Sequence, residues 1–169
     1  MSLNKKTINE KLILGIDPGF DRVGVAIIGG QRGREELIYS SCIETKRTDA
    51  HEKRLSFIAD ELRALIKKYK PNVLAIEKLF FNVNKTNALK VAEARGVILS
   101  VASESGMSIF EYSPQAVKMS ITGYGKASKG DLEFIIKKTV SIPKINTKRL
   151  DDEYDAIAVA ITHSLNKKD

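Results

Sequence analysis

Lys11-Leu12-Ile13-Leu14-Gly15-Ile16-Asp17-Pro18-Gly19 is the stretch from which the fold can be read. Its aliphatic run predicts a buried strand over residues 12–16. Pro18 has no N–H to give a ladder and ends the strand. Gly19 lets the chain turn tightly. Asp17 is thereby a carboxylate held at the end of a rigid core strand. Taken alone, it could simply cap the turn through its side chain. Whether it does more depends on what the rest of the chain brings to meet it.

Outward from this strand, 23–28 is a second β-branched run bounded by Gly29-Gly30, and 37–43 a third after a charged turn over 31–36. Short turns make the three antiparallel neighbours. Asp49 opens a helix whose stripe is Leu55, Ile58, Ala59, Leu62, Leu65 and Ile66, closed by Lys67, Lys68, Lys70 and Pro71. Residues 73–76 form a short strand ending in Glu77. A second helix begins at Asn84 or Thr86, and its Gly96 suggests close approach of a neighbour, because glycine inside a helix otherwise costs ~1 kcal/mol. Residues 107–112 are a fifth strand. Helices follow over 114–121 and 130–140, separated by a Gly-rich loop, then a basic linker over 144–150 and a final helix over 152–165. A meander followed by βαβα predicts an α/β fold: a five-stranded mixed sheet, three antiparallel strands with parallel additions, flanked by helices on both faces.

The chain has 169 residues, enough for one domain with a sizeable core over 1–169, of which 1–10 read as a flexible start. Its single cysteine, Cys42, excludes an intramolecular disulfide and reads as a small buried strand residue. The first ten residues are polar, unlike a signal peptide. No run approaches the ~20 apolar residues of a membrane span. A cytoplasmic location is expected. Lysine and arginine number 28 against 21 acids, a net charge of +7. The excess is concentrated: between Lys118 and Arg149 stand eight basic residues and only Asp131 and Glu133, a net +6. A merely solvated face mixes signs more evenly; this segment suits a nucleic acid.

Four acids fall at element ends. Asp17 and Glu77 each end a strand. Asp152 and Asp155 lie in the first turn of the last helix, on one face by their i, i+3 spacing. That helix continues Ala156-Ile157-Ala158-Val159-Ala160-Ile161 and is apolar nearly all round, so it packs against the core and carries its acidic start with it. Acids at a helix start also stabilise its dipole without any further role. Four converging carboxylates, however, repel one another and call for cations. All-oxygen donors suit Mg²⁺ or Mn²⁺, and there is no Cys/His cluster for zinc. Two such ions ~3.5–4 Å apart clamp a phosphodiester for attack by water. An acidic pocket within a basic surface is what a metal-dependent nuclease requires.

The chain resembles the RuvC-type Holliday-junction resolvases of the RNase H-like superfamily, over about 155 residues from Leu12 to Asn166. The likeness rests on Gly-Ile-Asp-Pro-Gly at 15–19, Glu-Lys-Leu-Phe-Phe at 77–81, Ala-Arg-Gly at 94–96, Phe-Glu-Tyr at 110–112, Val-Lys at 117–118 and Asp-Glu-Tyr-Asp-Ala-Ile-Ala-Val-Ala-Ile-Thr-His at 152–163. It implies an RNase H-like nuclease domain that resolves four-way DNA junctions during recombination and repair. It implies Asp17, Glu77, Asp152 and Asp155 as catalytic ligands of two Mg²⁺ ions, with Mn²⁺ as a substitute. Phe80 matches the aromatic that stacks at the crossover, with Phe81 and Asn84 beside it. Lys118 and Lys129 match lysines that contact DNA near the scissile phosphate, and Lys126 lies between them. The resemblance also implies a homodimer and work with the RuvA–RuvB branch-migration machinery. The helix from Asn84 to Ser105, with Val91, Ala94, Val97, Ile98 and Val101, is the expected dimer face. Asp21 and Glu111 read as surface acids, with support of the site from behind its ligands as the alternative, and His163 as structural. Alternatives are a YqgF-type RNA-processing nuclease, a catalytically weak junction-binding protein, and an actin-like phosphotransferase, for which the chain is too short.

Overall fold

Side chains alternate across a strand with period two, and the first strands are apolar on both parities, so both faces of the sheet must be covered. The computed structural model describes residues 11–79, 85–143 and 149–166, with 85 and 86 as backbone only. Its elements are β1 (Ile13–Asp17), β2 (Arg22–Gln31), β3 (Arg34–Glu44), α1 (His51–Tyr69), β4 (Val73–Glu77), α2 (Lys85–Glu104), β5 (Ser108–Tyr112), α3 (Pro114–Thr122), α4 (Lys129–Thr139) and α5 (Asp151–Asn166). The strand order is β3-β2-β1-β4-β5. The first three strands pair antiparallel, and β4 and β5 add parallel to β1. This is the expected α/β architecture.

Even-numbered residues of β1 and β4, such as Leu14, Ile16, Leu74 and Ile76, face α1 and α2 in one core. Ile13, Val73 and Ala75 face the other way, into a core with α3, α4 and α5. By the same alternation, Asp17 and Glu77 belong to the α5 face. Glycine makes this face available: a Cβ on Gly15 would stand 2.2 Å from the Ala156 carbonyl oxygen, and one on Gly24 would stand 2.0 Å from that of Asp152. Helix α5 therefore lies directly on the backbone of β1 and β2 at its amino-terminal half.

Several local expectations are corrected. Strands β2 and β3 are longer than expected, and the β2–β3 turn is only Arg32-Gly33, with Gly33 at φ +80°. Helix α1 starts after Asp49, which forms a turn with Lys46 instead; its amino-terminal cap is Ala50, with no side-chain cap. At its end Lys70 adopts the left-handed conformation, φ 52°, before Pro71. Gly96 is exposed and a Cβ there would meet nothing within 4 Å, so among the described residues no neighbour approaches it. Ala94, Ile98 and Val101 are core residues, and Val91 and Val97 pack against that core. The apolar stripe expected to be surplus for a dimer is thus mostly used within the chain. Cys42 is half-buried on β3 rather than fully buried, and burial, then Asp152 and Glu153, push its thiol up to about 12. Residues 1–10, expected to be a flexible start, and most of the basic linker, 144–148, lie outside the described residues.

Candidate active site

Parallel pairing of Ile16 with Ile76 brings Asp17 and Glu77 to the same end of adjacent strands. Asp17 also pairs with Gly24, the residue on which Asp152 rests. Sheet register and the absence of a side chain at 24 together deliver Asp152 and Asp155 to the two strand-end carboxylates. Asp17 senses the other three acids. Burial, then Asp155, Glu77 and Asp152, raise the Asp17 carboxyl from 3.8 to about 8. Burial, then Asp155, raise Glu77 from 4.5 to about 7. Without cations this centre holds protons at neutral pH.

Basic groups surround it. Lys129 Nζ lies 2.7 Å from Asp155 Oδ2. Its position is fixed because it opens α4 directly after a capping box between Ser128 and Asp131, so Asp131 serves the helix rather than opposing the basic surface. Lys129 and Lys118, on α3, both lower Glu77 electrostatically. Lys126 is exposed in the turn between α3 and α4. Arg22 reaches within 3.2 Å of Asp152 Oδ2. That oxygen is nevertheless buried without a hydrogen-bond donor in line with it.

The turn after Asp17 is anchored from behind. Phe20 is buried, stacked 4.8 Å from His51 and under the Arg54 guanidinium at 3.9 Å. Arg54, itself buried, pairs with Asp21 and donates to Thr45. Arg54 then Arg47 hold Asp21 below the usual carboxylate range. Asp21 is thus an anchoring acid of this turn, not a bare surface one. Glu111 likewise pairs with Arg95, joining β5 to α2. His163 is buried, with Nδ1 2.8 Å from the Tyr112 hydroxyl and its ring against Phe110, which fits a structural role. Phe80, Phe81 and Asn84 lie outside the described residues.

Among the described residues, no three acidic, histidine or cysteine side chains already stand at the spacing of a metal cage. Lys129 and Arg22 hold Asp155 and Asp152 instead. The donor set still fits divalent cations. It is all hard oxygen, its mutual repulsion is large, and Asp152 keeps one buried oxygen unsatisfied. Arg22, Gly15 and Gly24 were missed in the sequence. The signal for Gly24 was present: a glycine inside a β-branched run marks a close backbone approach.

The model of the RuvC crossover junction endodeoxyribonucleases matches residues 13–163. The crossover junction endodeoxyribonuclease RuvC of Thermotoga petrophila is 40% identical over 156 residues, 92% of this chain and 93% of that protein. Its counterpart from Brachyspira hyodysenteriae is 43% identical over 153 residues, 90% of this chain and 93% of that protein. Among solved structures, Thermus thermophilus RuvC in complex with a Holliday junction substrate superposes with a TM-score of 0.85 at 25% identity, covering 92% of this chain and 93% of that one.

Proposed function

The chain belongs to the RuvC family of crossover junction endodeoxyribonucleases, and from that premise we propose that it resolves four-way DNA junctions by divalent-metal-dependent phosphodiester hydrolysis at Asp17, Glu77, Asp152 and Asp155. The observation that carries this reading is the meeting of four carboxylates from β1, β4 and α5 beside Lys118 and Lys129, with Asp17 raised to about 8 by burial and by the other three. Two Mg²⁺ ions held there, or Mn²⁺, would neutralise the acids, activate water and stabilise the leaving oxygen. The chain's own groups do the rest. Glycine-floored packing of α5 sets the acids on a rigid base. Lys129 and Arg22 pair with Asp155 and Asp152, and cations held by those acids would leave both basic side chains to DNA phosphates. Lys118 and Lys126 extend the phosphate-binding surface, and Phe80, with Phe81 and Asn84, supplies the stacking contact at the crossover.

One active site makes one cut at a time, and a junction has two-fold symmetry, so a C2 homodimer is the matching assembly. The dimer, the cytoplasm as its location, a single domain over 1–169, and cooperation with RuvA–RuvB belong to this proposal. No helix of the described residues is long and apolar enough to cross a membrane. A gel comparing a synthetic four-way junction, a linear duplex and a structured RNA, with and without Mg²⁺, tests the reading. Metal-dependent paired nicks in the junction alone are expected. Preferential cleavage of RNA would favour the YqgF-type alternative, and binding without cleavage the weakly catalytic one.

A further inference from the structure

Helix α5 is pinned to β3 by two buried glutamates, one near each end. At the far end, Glu35 Oε1 accepts the Ser164 hydroxyl at 2.8 Å and the Gly33 N–H at 3.0 Å. At the near end stands Glu153, between Asp152 and Asp155 in sequence and only 8% exposed. Its Oε1 accepts the Leu150 N–H at 3.0 Å, and its Oε2 accepts the Ser40 hydroxyl at 2.7 Å. Ser40 Oγ accepts Nε–H of Arg149 at 3.0 Å, and a second nitrogen of Arg149 donates to the Pro143 carbonyl at 3.0 Å. Arg149 also lines the open cleft that Arg22, Leu150 and Asp151 share.

A helix start does not need this arrangement. Helix α3 is capped by Ser113 alone, and α4 by an exposed Ser128–Asp131 box. Burying a carboxylate beside a centre of four acids costs its hydration, so its place inside calls for a gain elsewhere. The gain is positional. Glu153 is one residue from Asp152 and two from Asp155, so fixing it to Ser40 fixes the rotation and depth of the turn that carries both. We infer that Glu153, through Ser40, is a positioning residue that aims Asp152 and Asp155 at Asp17 and Glu77 for cation binding. The inference rests on the reading of those four acids as the metal site.

The test uses the full chain, with Mn²⁺ titrated calorimetrically in the absence of DNA, alongside thermal melting and junction affinity in EDTA. Partners behind metal ligands typically carry about 10–100-fold in metal affinity. Glu153→Ala is expected to weaken Mn²⁺ binding about tenfold or more in that range, with junction affinity in EDTA unchanged. Glu153→Gln, which can still accept from Leu150 and bond Ser40, should restore most of it. Ser40→Ala should fall between. Ser164→Ala, which loosens the far pin, should lower the melting temperature without changing Mn²⁺ affinity. A folded Glu153→Ala with parental Mn²⁺ affinity overturns the inference; should that variant not fold, parental affinity in Ser40→Ala does so. A Ser164→Ala that weakens Mn²⁺ as much as Ser40→Ala would reduce Glu153 to a plain structural pin. No Mn²⁺ binding by the parent would instead overturn the metal-site reading itself.

Discussion

Asp17 carries the centre's electrostatics at the scale of single residues. Its folded carboxyl titrates near 8 against 3.8 in a free chain, through burial first and then its three acidic neighbours. The native state therefore keeps a proton that the unfolded chain has already lost across this interval. The contribution of Asp17 to stability is fully present below the lower value, falls as pH rises through the interval, and levels off above about 8. The slope from one such group reaches at most about 1.4 kcal/mol per pH unit. Glu77, raised to about 7, adds to it in the lower part of the same window. Urea denaturation in EDTA should show Asp17→Asn gaining stability over the parent as pH rises from 5 to 8. A difference between the two that does not change with pH would mean that Asp17 is not held among like charges. Asp152 and Asp155 sit across from it beside Arg22 and Lys129, which soften the repulsion without removing it.

Helix α5 and its floor are the element on which the site depends. A Cβ at position 24 would stand 2.0 Å from the Asp152 carbonyl oxygen, a backbone atom with nowhere to go. Gly24→Ala must therefore lift the first turn of α5 off β2. A loss of ~1–3 kcal/mol in stability is expected, with loss of cleavage beyond what that destabilisation explains. Alanine tolerated at 24 with parental activity would show that close approach is not what places Asp152. The order of strands, the two-faced sheet and the strand-end positions of Asp17 and Glu77 were legible in the sequence, because period-two apolar runs and Pro-Gly punctuation carry them locally. The pinning of α5 was not. Glu153–Ser40 spans 113 positions, and nothing in the local pattern of either segment separates a buried pair from two surface residues. Gly96 is not explained by packing among the described residues, since a Cβ there would meet nothing within 4 Å.

Charge is distributed unevenly over the whole molecule. The net +7 is concentrated between Lys118 and Arg149, and that segment includes Lys118, Lys126 and Lys129 around an acidic floor. In the proposed reading the basic rim attracts DNA, while hydrolysis waits on cations that the acids would hold. Binding and cutting are therefore separable properties of one surface. The measurement that tests this most directly follows a synthetic four-way junction with the Asp17→Asn variant and the parent. Affinity is read in EDTA and cleavage over a Mg²⁺ titration. The account predicts that the variant binds the junction in EDTA as tightly as the parent at neutral pH, where the Asp17 carboxyl already holds its proton, and that it cuts at no Mg²⁺ concentration. Cleavage by the variant at near-parental rates, or cleavage by the parent in EDTA, would contradict it.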